Sequence, residues 1–356
     1  MIRAALAALT LVAAVAAPAA AESTLLIWTA GALPPGLGDT VRALPQVRTL
    51  TVVESGNAPL IRTVATGGVV AAAPAGTAWP LETMVLDAAY AGFVPAAHAS
   101  LFAALGAGDV IVGRTASALR GVGVGATMEF DGGHVLTVRA VVDDAEIGGG
   151  EIAVAASSAV VRAVPRHILL AYDGPRAELE AAVRALLGDR PVRFRAPGEA
   201  PILRFADAVL PQARIKARFG EFALRLADFA PGATGLARDA AWVEANLVTD
   251  VLPILGEVRC HRALLDAVQG ALTELRDSGL AFLVDPAAFR GCDNPRRIAG
   301  SLALSRHAWG AAIDLDAGPA PMHRDHMTDP RLLDVMARWG LTSGHDWLVP
   351  DPGHFE

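Results

Sequence analysis

From residue 24 to residue 165 the apolar positions come in short runs separated by glycine or Asp-Gly breaks. Thr24–Thr29, Val47–Val53, Asp109–Val112, His134–Val142 and Glu151–Ala155 read as strands of a β-rich region. Phe130-Asp131-Gly132-Gly133-His134 predicts a hairpin turn, because Asp-Gly and Gly-Gly accept positive φ. The pattern then changes: His167–Tyr172 predicts a strand, Arg176–Leu187 an amphipathic helix, and Val192–Arg195 a further strand. That alternation suggests an α+β module. Prolines punctuate residues 196–235, a structured linker in which Arg214–Leu226 alternates at a strand-like period. Asp239–Leu247 predicts a short helix, and Cys260–Leu275 a longer one with Leu264, Val268 and Leu272 on one face, ended at Asp277-Ser278-Gly279. No internal repeat is visible. The expected organisation is residues 1–21, a β-rich unit over 22–208 and a second unit over 209–356.

The first 21 residues fall outside that fold. Arg3, an apolar stretch from Ala4 to about Ala17, and the small residues Ala19-Ala20-Ala21 form the three-part pattern of a secretory signal peptide. The run is short for a membrane span of about 20 residues. The mature chain is therefore expected outside the cytoplasm and not membrane-spanning. With 53% hydrophobic and 19% charged residues, the chain is not disordered throughout. A net charge of -7 and the lack of a long basic run argue against nucleic acid as a partner. Lys216 is the only lysine. Cys260 and Cys292 read as a disulfide in an oxidising compartment, two buried thiols being the alternative.

Candidate chemistry gathers at the C-terminus, where six of the nine histidines follow residue 260. His307, Asp314 and His354 offer two nitrogens and one oxygen, a good donor set for catalytic Zn2+. Gly310 permits a tight turn between the first two, and Ala311-Ala312-Ile313 reads as a buried strand leading to Asp314. Asp351, three residues before His354, is placed to act as general base on a water. A His-x6-Asp spacing also recurs by chance, so spacing alone leaves metal binding and a surface histidine both open.

The motifs Ser305-Arg306-His307-Ala308-Trp309-Gly310-Ala311-Ala312-Ile313-Asp314 and Asp351-Pro352-Gly353-His354-Phe355-Glu356 resemble the signature of bacterial-wall zinc metallopeptidases, the D-alanyl-D-alanine carboxypeptidases and L-alanyl-D-glutamate endopeptidases. Gly344-His345-Asp346-Trp347 and Phe289-Arg290-Gly291-Cys292 with Pro295-Arg296 resemble the endolysin-like branch. The resemblance spans about residues 210–356. It implies zinc ligands His307, Asp314 and His354, Asp351 as catalytic base, and an arginine on the oxyanion: Arg296 first, then Arg290, then Arg297. Ser305, Trp309 and Trp347 are the candidate substrate-binding residues. Ser305 also reads as a turn cap, and the two tryptophans also read as core. His323 and His326 form His-x-x-His in a loop, readable as a second metal site or a lid. His345 is a candidate for proton transfer, and His261 is read as structural. A weaker resemblance links Gly108–Asp144 to MacB/FtsX-type extracytoplasmic domains, which implies protein contacts.

The expected fold class is α+β, a Hedgehog/DD-peptidase-like zinc domain preceded by a β-rich α+β domain. The expected function is hydrolysis of peptidoglycan stem peptides, with an envelope protein as partner of the N-terminal unit. The competing readings are a catalytically weak wall-binding or envelope-complex accessory protein, and a zinc hydrolase of non-wall D-amino-acid dipeptides.

Overall fold

The computed structural model describes residues 23–65, 67–196, 211–233, 235–315 and 329–356. The expected signal peptide, the 208/209 boundary and His323 and His326 lie outside the described residues.

The N-terminal unit combines two arrangements of strands. β1 (Ser23–Thr29), α1 (Leu37–Arg42) and β2 (Val47–Ala65) open it; β9 (Val164–Tyr172), α4 (Arg176–Leu187) and β10 (Val192–Arg195) close it. These four strands lie in the order β10-β1-β9-β2, all antiparallel, the split β-α-β order of ferredoxin-like folds. Period-2 alternation sorts the faces. Leu25 and Ile27 pack with Leu37 and Val41 of α1 and Leu179 and Val183 of α4, while Leu26 and Trp28 face the other way.

Between β2 and β9 the chain inserts β3 (Gly68–Ala72), β4 (Thr77–Leu86), α2 (Ala96–Ala103), β5 (Asp109–Gly113), α3 (Arg114–Arg120), β6 (Thr127–Phe130), β7 (His134–Val142) and β8 (Ile152–Ala155). The pairing path β2-β6-β7-β5-β8-β4 returns to β2, so the sheet closes into a barrel. Closure leaves no exposed ladder edge along that path. The 130–134 turn joins β6 to β7 as expected, with Gly132 and Gly133 both at φ +78.

The next described element is α5 (Gln212–Phe219), where the alternation predicted a strand. Its buried positions are Gln212, Ala213, Ile215, Lys216 and Phe219, and four of them, Gln212, Ile215, Lys216 and Phe219, form the i, i+3, i+4, i+7 face of a helix. Two of those four are polar, so the apolar pattern concealed the period. Lys216 is buried because its Nζ reaches Glu151 Oε1 (2.8 Å), Glu221 Oε1 (2.8 Å) and the Pro80 carbonyl (2.6 Å). Arg120 joins the same cluster through Glu221 and Glu151. Burial would raise the Glu221 pKa, but Lys216 and Arg120 outweigh it and hold it below the ordinary value. Glu151→Ala would leave two buried cations undercompensated. It is expected to lower stability by about 3–5 kcal/mol, read as a fall in the urea midpoint.

Beyond α5, β11 (Leu224–Arg225) pairs with β4, α6 (Ala240–Asn246) buries Trp242, and β12 (Leu247–Leu252) forms a hairpin with β13 (Gly256–His261). α7 (Arg262–Asp277) starts two residues later than expected, because Cys260 and His261 finish β13. His261 caps α7, accepting from Ala263 N–H at 3.1 Å, and contacts the Phe219 carbonyl at 3.0 Å. Leu264, Val268 and Leu272 form the buried face of α7, as the spacing predicted. They pack with Val335 and Met336 of α8 (Pro330–Arg338) and with Ile313 and Phe355. A small antiparallel sheet completes the unit: β14 (Ile313–Asp314), β16 (Asp351–Phe355) and β15 (Ser343–Gly344), with β16 in the middle. The chain is thus a mixed α+β protein with a β-rich N-terminal region. Among the described residues no helix is long and apolar enough to cross a membrane.

Candidate metal centre

His307 lies in a single 3-10 turn, Arg306–Trp309, that Ser305 caps by accepting from His307 N–H. Gly310 ends the turn at φ +62, where an added Cβ would stand 2.9 Å from the backbone nitrogen of His261. The chain then enters β14, which pairs with β16 so that Asp314 stands opposite His354. The eight residues His307–Asp314, turn and strand, therefore place two donors beside a third from the C-terminal strand.

The donor atoms converge. His307 Nε2 lies 3.1 Å from Asp314 Oδ1 and 3.3 Å from His354 Nδ1, and His354 Nδ1 lies 2.9 Å from the same Oδ1. The other ring nitrogens fix the tautomers. His307 Nδ1 donates to the Cys292 carbonyl (3.0 Å), and His354 Nε2 donates to Glu356 Oε2 (3.3 Å). In the neutral rings Nε2 of His307 and Nδ1 of His354 then carry lone pairs, aimed with a carboxylate oxygen at one point. Three acceptors facing each other in a largely buried site call for a cation between them. Two imidazoles and a carboxylate, each histidine held by an outer acceptor, suit zinc.

The electrostatics agree. Burial would raise the Asp314 pKa, but the hydrogen bonds from His307 and His354 hold it well below the usual carboxylate range. Burial would lower that of His354, yet Asp314 and Glu356 raise it to about 9.

Asp351 is half-buried, and burial pushes its pKa above the ordinary value. His354, Asp314, Arg296 and His307 are the charged groups that act on it. The β15–β16 register slips between Ser343 and Gly344, which pairs Gly344 with Asp351. Of the three arginines, Arg296 is at the centre, 3.8 Å from Asp314 Oδ2 and partly exposed. Arg297 instead donates to the carbonyls of Ala233 and Asp228, and Arg290 to those of Ala287 and Phe289. Trp347 stands beside His354, ring centroids 4.9 Å apart.

Trp309 differs from the expected cleft residue. It is fully buried, packs on Phe222 and donates from Nε1 to the Gly220 carbonyl, so it belongs to the core beneath the site. Ser305 is buried and acts as the turn cap. His345 is exposed.

The sequence reading missed the supports of the ligands. Glu356 was legible, since residues 354 and 356 share one face of a strand. The strap 290–294 was not. Arg290 N–H donates to the Asp314 carbonyl (3.2 Å), the Cys292 carbonyl accepts from His307, and Asn294 N–H donates to the His307 carbonyl (3.2 Å). The Cys260–Cys292 disulfide ties that strap to β13. The Cys260→Ser/Cys292→Ser double variant is expected to bind zinc about 10–100-fold more weakly, measured by competition with a chromophoric chelator.

A profile described as D-alanyl-D-alanine carboxypeptidase matches residues 299–356. The matched segment contains His307, Asp314, Asp351 and His354 and begins after Arg296. No curated protein matches the chain. Among solved structures, the periplasmic region of MacB from Actinobacillus actinomycetemcomitans is similar at 12% identity with a TM-score of 0.34, over 49% of this chain and 88% of that one.

Proposed function

We propose that the C-terminal unit is a zinc-dependent peptidase that hydrolyses peptide bonds in peptidoglycan stem peptides, with the Hedgehog/DD-peptidase-like fold. The observation that carries this reading is the convergence of His307 Nε2, His354 Nδ1 and Asp314 Oδ1 inside the segment that matches a carboxypeptidase family. The peptidase family, the signal-like N-terminus and the disulfide support a location outside the cytoplasm.

His307, Asp314 and His354 hold the ion in this reading. When bound, zinc supplies a Lewis acid that polarises the scissile carbonyl and makes water a nucleophile near neutral pH. Asp351 takes the proton of the attacking water and passes it to the leaving amine. Arg296, at the edge of the centre, faces the oxyanion with a fixed positive charge. Trp347 forms a wall beside His354 against which the peptide lies. Glu356 and the Cys292 carbonyl keep both imidazoles in the tautomers that leave a lone pair toward the ion.

Mass spectrometry of purified muropeptides, incubated with zinc-loaded protein beside an Asp351→Ala control, tests the reading. Loss of one alanine would identify a carboxypeptidase, and a split stem an endopeptidase. No product from folded, zinc-occupied protein would reject it.

A further inference from the structure

Two arms of chain leave the candidate metal centre, and both end on the N-terminal unit. The first is a narrow hairpin. Ser305 N–H donates to the Arg296 carbonyl at its base (3.0 Å), Arg297 bridges to Leu304, and Ile298 N–H donates to the Ala303 carbonyl (2.9 Å). Its tip is gripped from outside. Ala32 N–H donates to the Gly300 carbonyl (3.0 Å), and Asn57 Nδ2 of β2 donates to the Leu302 carbonyl (2.6 Å). The approach requires glycine at residue 31: φ is +72, and a Cβ there would stand 3.1 Å from the Gly300 oxygen.

The second arm runs from Gly344 to Asp351 and carries Trp347. Arg193 of β10 donates to the Asp346 carbonyl at 3.2 Å. Leu348 packs against the core cluster that holds Leu26, Trp28, Val53 and Leu169 of the ferredoxin-like sheet. One arm therefore begins at Arg296, the other ends at Asp351, and neither has a core of its own. Short segments with few buried contacts open locally at little cost in free energy. Catalytic groups, by contrast, need placement to within a fraction of an ångström.

We propose that the N-terminal unit is the frame of the catalytic cleft, fixing Arg296 through the hairpin tip and Trp347 and Asp351 through the second arm. The cleft is that of the peptidase proposed above, and the inference deepens that reading. Asn57, Arg193 and Leu348 are positioning residues, since they act through the arms. The metal ligands are held separately, by the strap 290–294 and the β14–β16 pairing, so loosening the arms leaves zinc binding intact.

The test uses full-length zinc-loaded protein carrying Asn57→Asp, which keeps the shape and loses the donor, or Arg193→Ala, with Arg193→Lys as the rescue. Hydrogen exchange is followed by mass spectrometry over residues 296–305 and 344–351, beside zinc affinity and muropeptide kinetics. Expected are faster exchange in the arm each variant releases, zinc affinity within about twofold of wild type, and kcat lower by about 10–100-fold. Arg193→Lys should restore much of the loss. Unchanged exchange in both arms overturns the proposal, as does loosening matched by an equal loss of zinc. A wild type that cleaves nothing sinks the peptidase reading, while the exchange measurement still decides whether the N-terminal unit holds the arms.

Discussion

On the proposed reading, Asp314→Ala is expected to yield a folded protein that no longer retains zinc on dialysis and cleaves muropeptides at least about 10³-fold more slowly than wild type. Metal activation of water and carbonyl is worth several kcal/mol, and about 4 kcal/mol corresponds to three decades of rate. The alanine removes one of three donors and the carboxylate that both histidines face. A second readout needs no activity. In the metal-free protein the His354 pKa is the balance of burial, which lowers it, against Asp314 and Glu356, which raise it to about 9. Without Asp314 the ring should titrate distinctly lower, visible by NMR. Wild-type rates in Asp314→Ala would reject the metal centre.

The three candidate donors could be singled out because their chemistry is local in sequence. His307 and Asp314 are joined by one turn and the start of a strand, and His354 lies on a short strand near the end of the chain. Their supports were hidden because a backbone carbonyl has no letter of its own. Cys292 reads as a disulfide partner, yet its oxygen is what orients His307. Trp309 misled for a related reason: sequence shows an aromatic beside a ligand, while Phe222 and the Gly220 carbonyl that bury it come from more than 80 residues earlier.

The fold divides in the same way. Arg176–Leu187 and Val192–Arg195 match α4 and β10 to the residue, since amphipathic period and Gly/Pro breaks are local signals. β2 was expected to stop at Val53 but continues to Ala65. Gly56 and Pro59 lie inside the continuation of β2, and Pro80 inside β4. In the barrel Pro59 and Pro80 stand directly opposite each other, so both missing N–H groups fall at one step of the ladder. Only the partner strand makes that arrangement tolerable. Nothing local to Lys216 announces that its side chain joins α5 to Glu151 of the barrel, because Glu151 lies 65 residues earlier.

The second large effect is expected at Asp351. Asp351→Asn keeps the size of the side chain and removes its capacity to take a proton, so kcat should fall by about 10²–10⁴-fold with zinc content unchanged. That combination separates a base from a ligand: a lost ligand releases metal, and a lost base does not. The surroundings favour the base role. Burial pushes the Asp351 pKa up, and Asp314 adds to it, against the opposing pull of His354, Arg296 and His307. A carboxylate destabilised in this way takes a proton from water more readily than an exposed one. The pH profile carries the sign. In the proposed role Asp351 works deprotonated, so wild-type kcat/KM should be present above its pKa and fall as pH drops through it. In Asp351→Asn that limb should vanish from the residual activity. An Asn variant that keeps wild-type kcat with full zinc occupancy would move the base to another group, and His345, exposed on the adjoining arm, would be the next residue to replace.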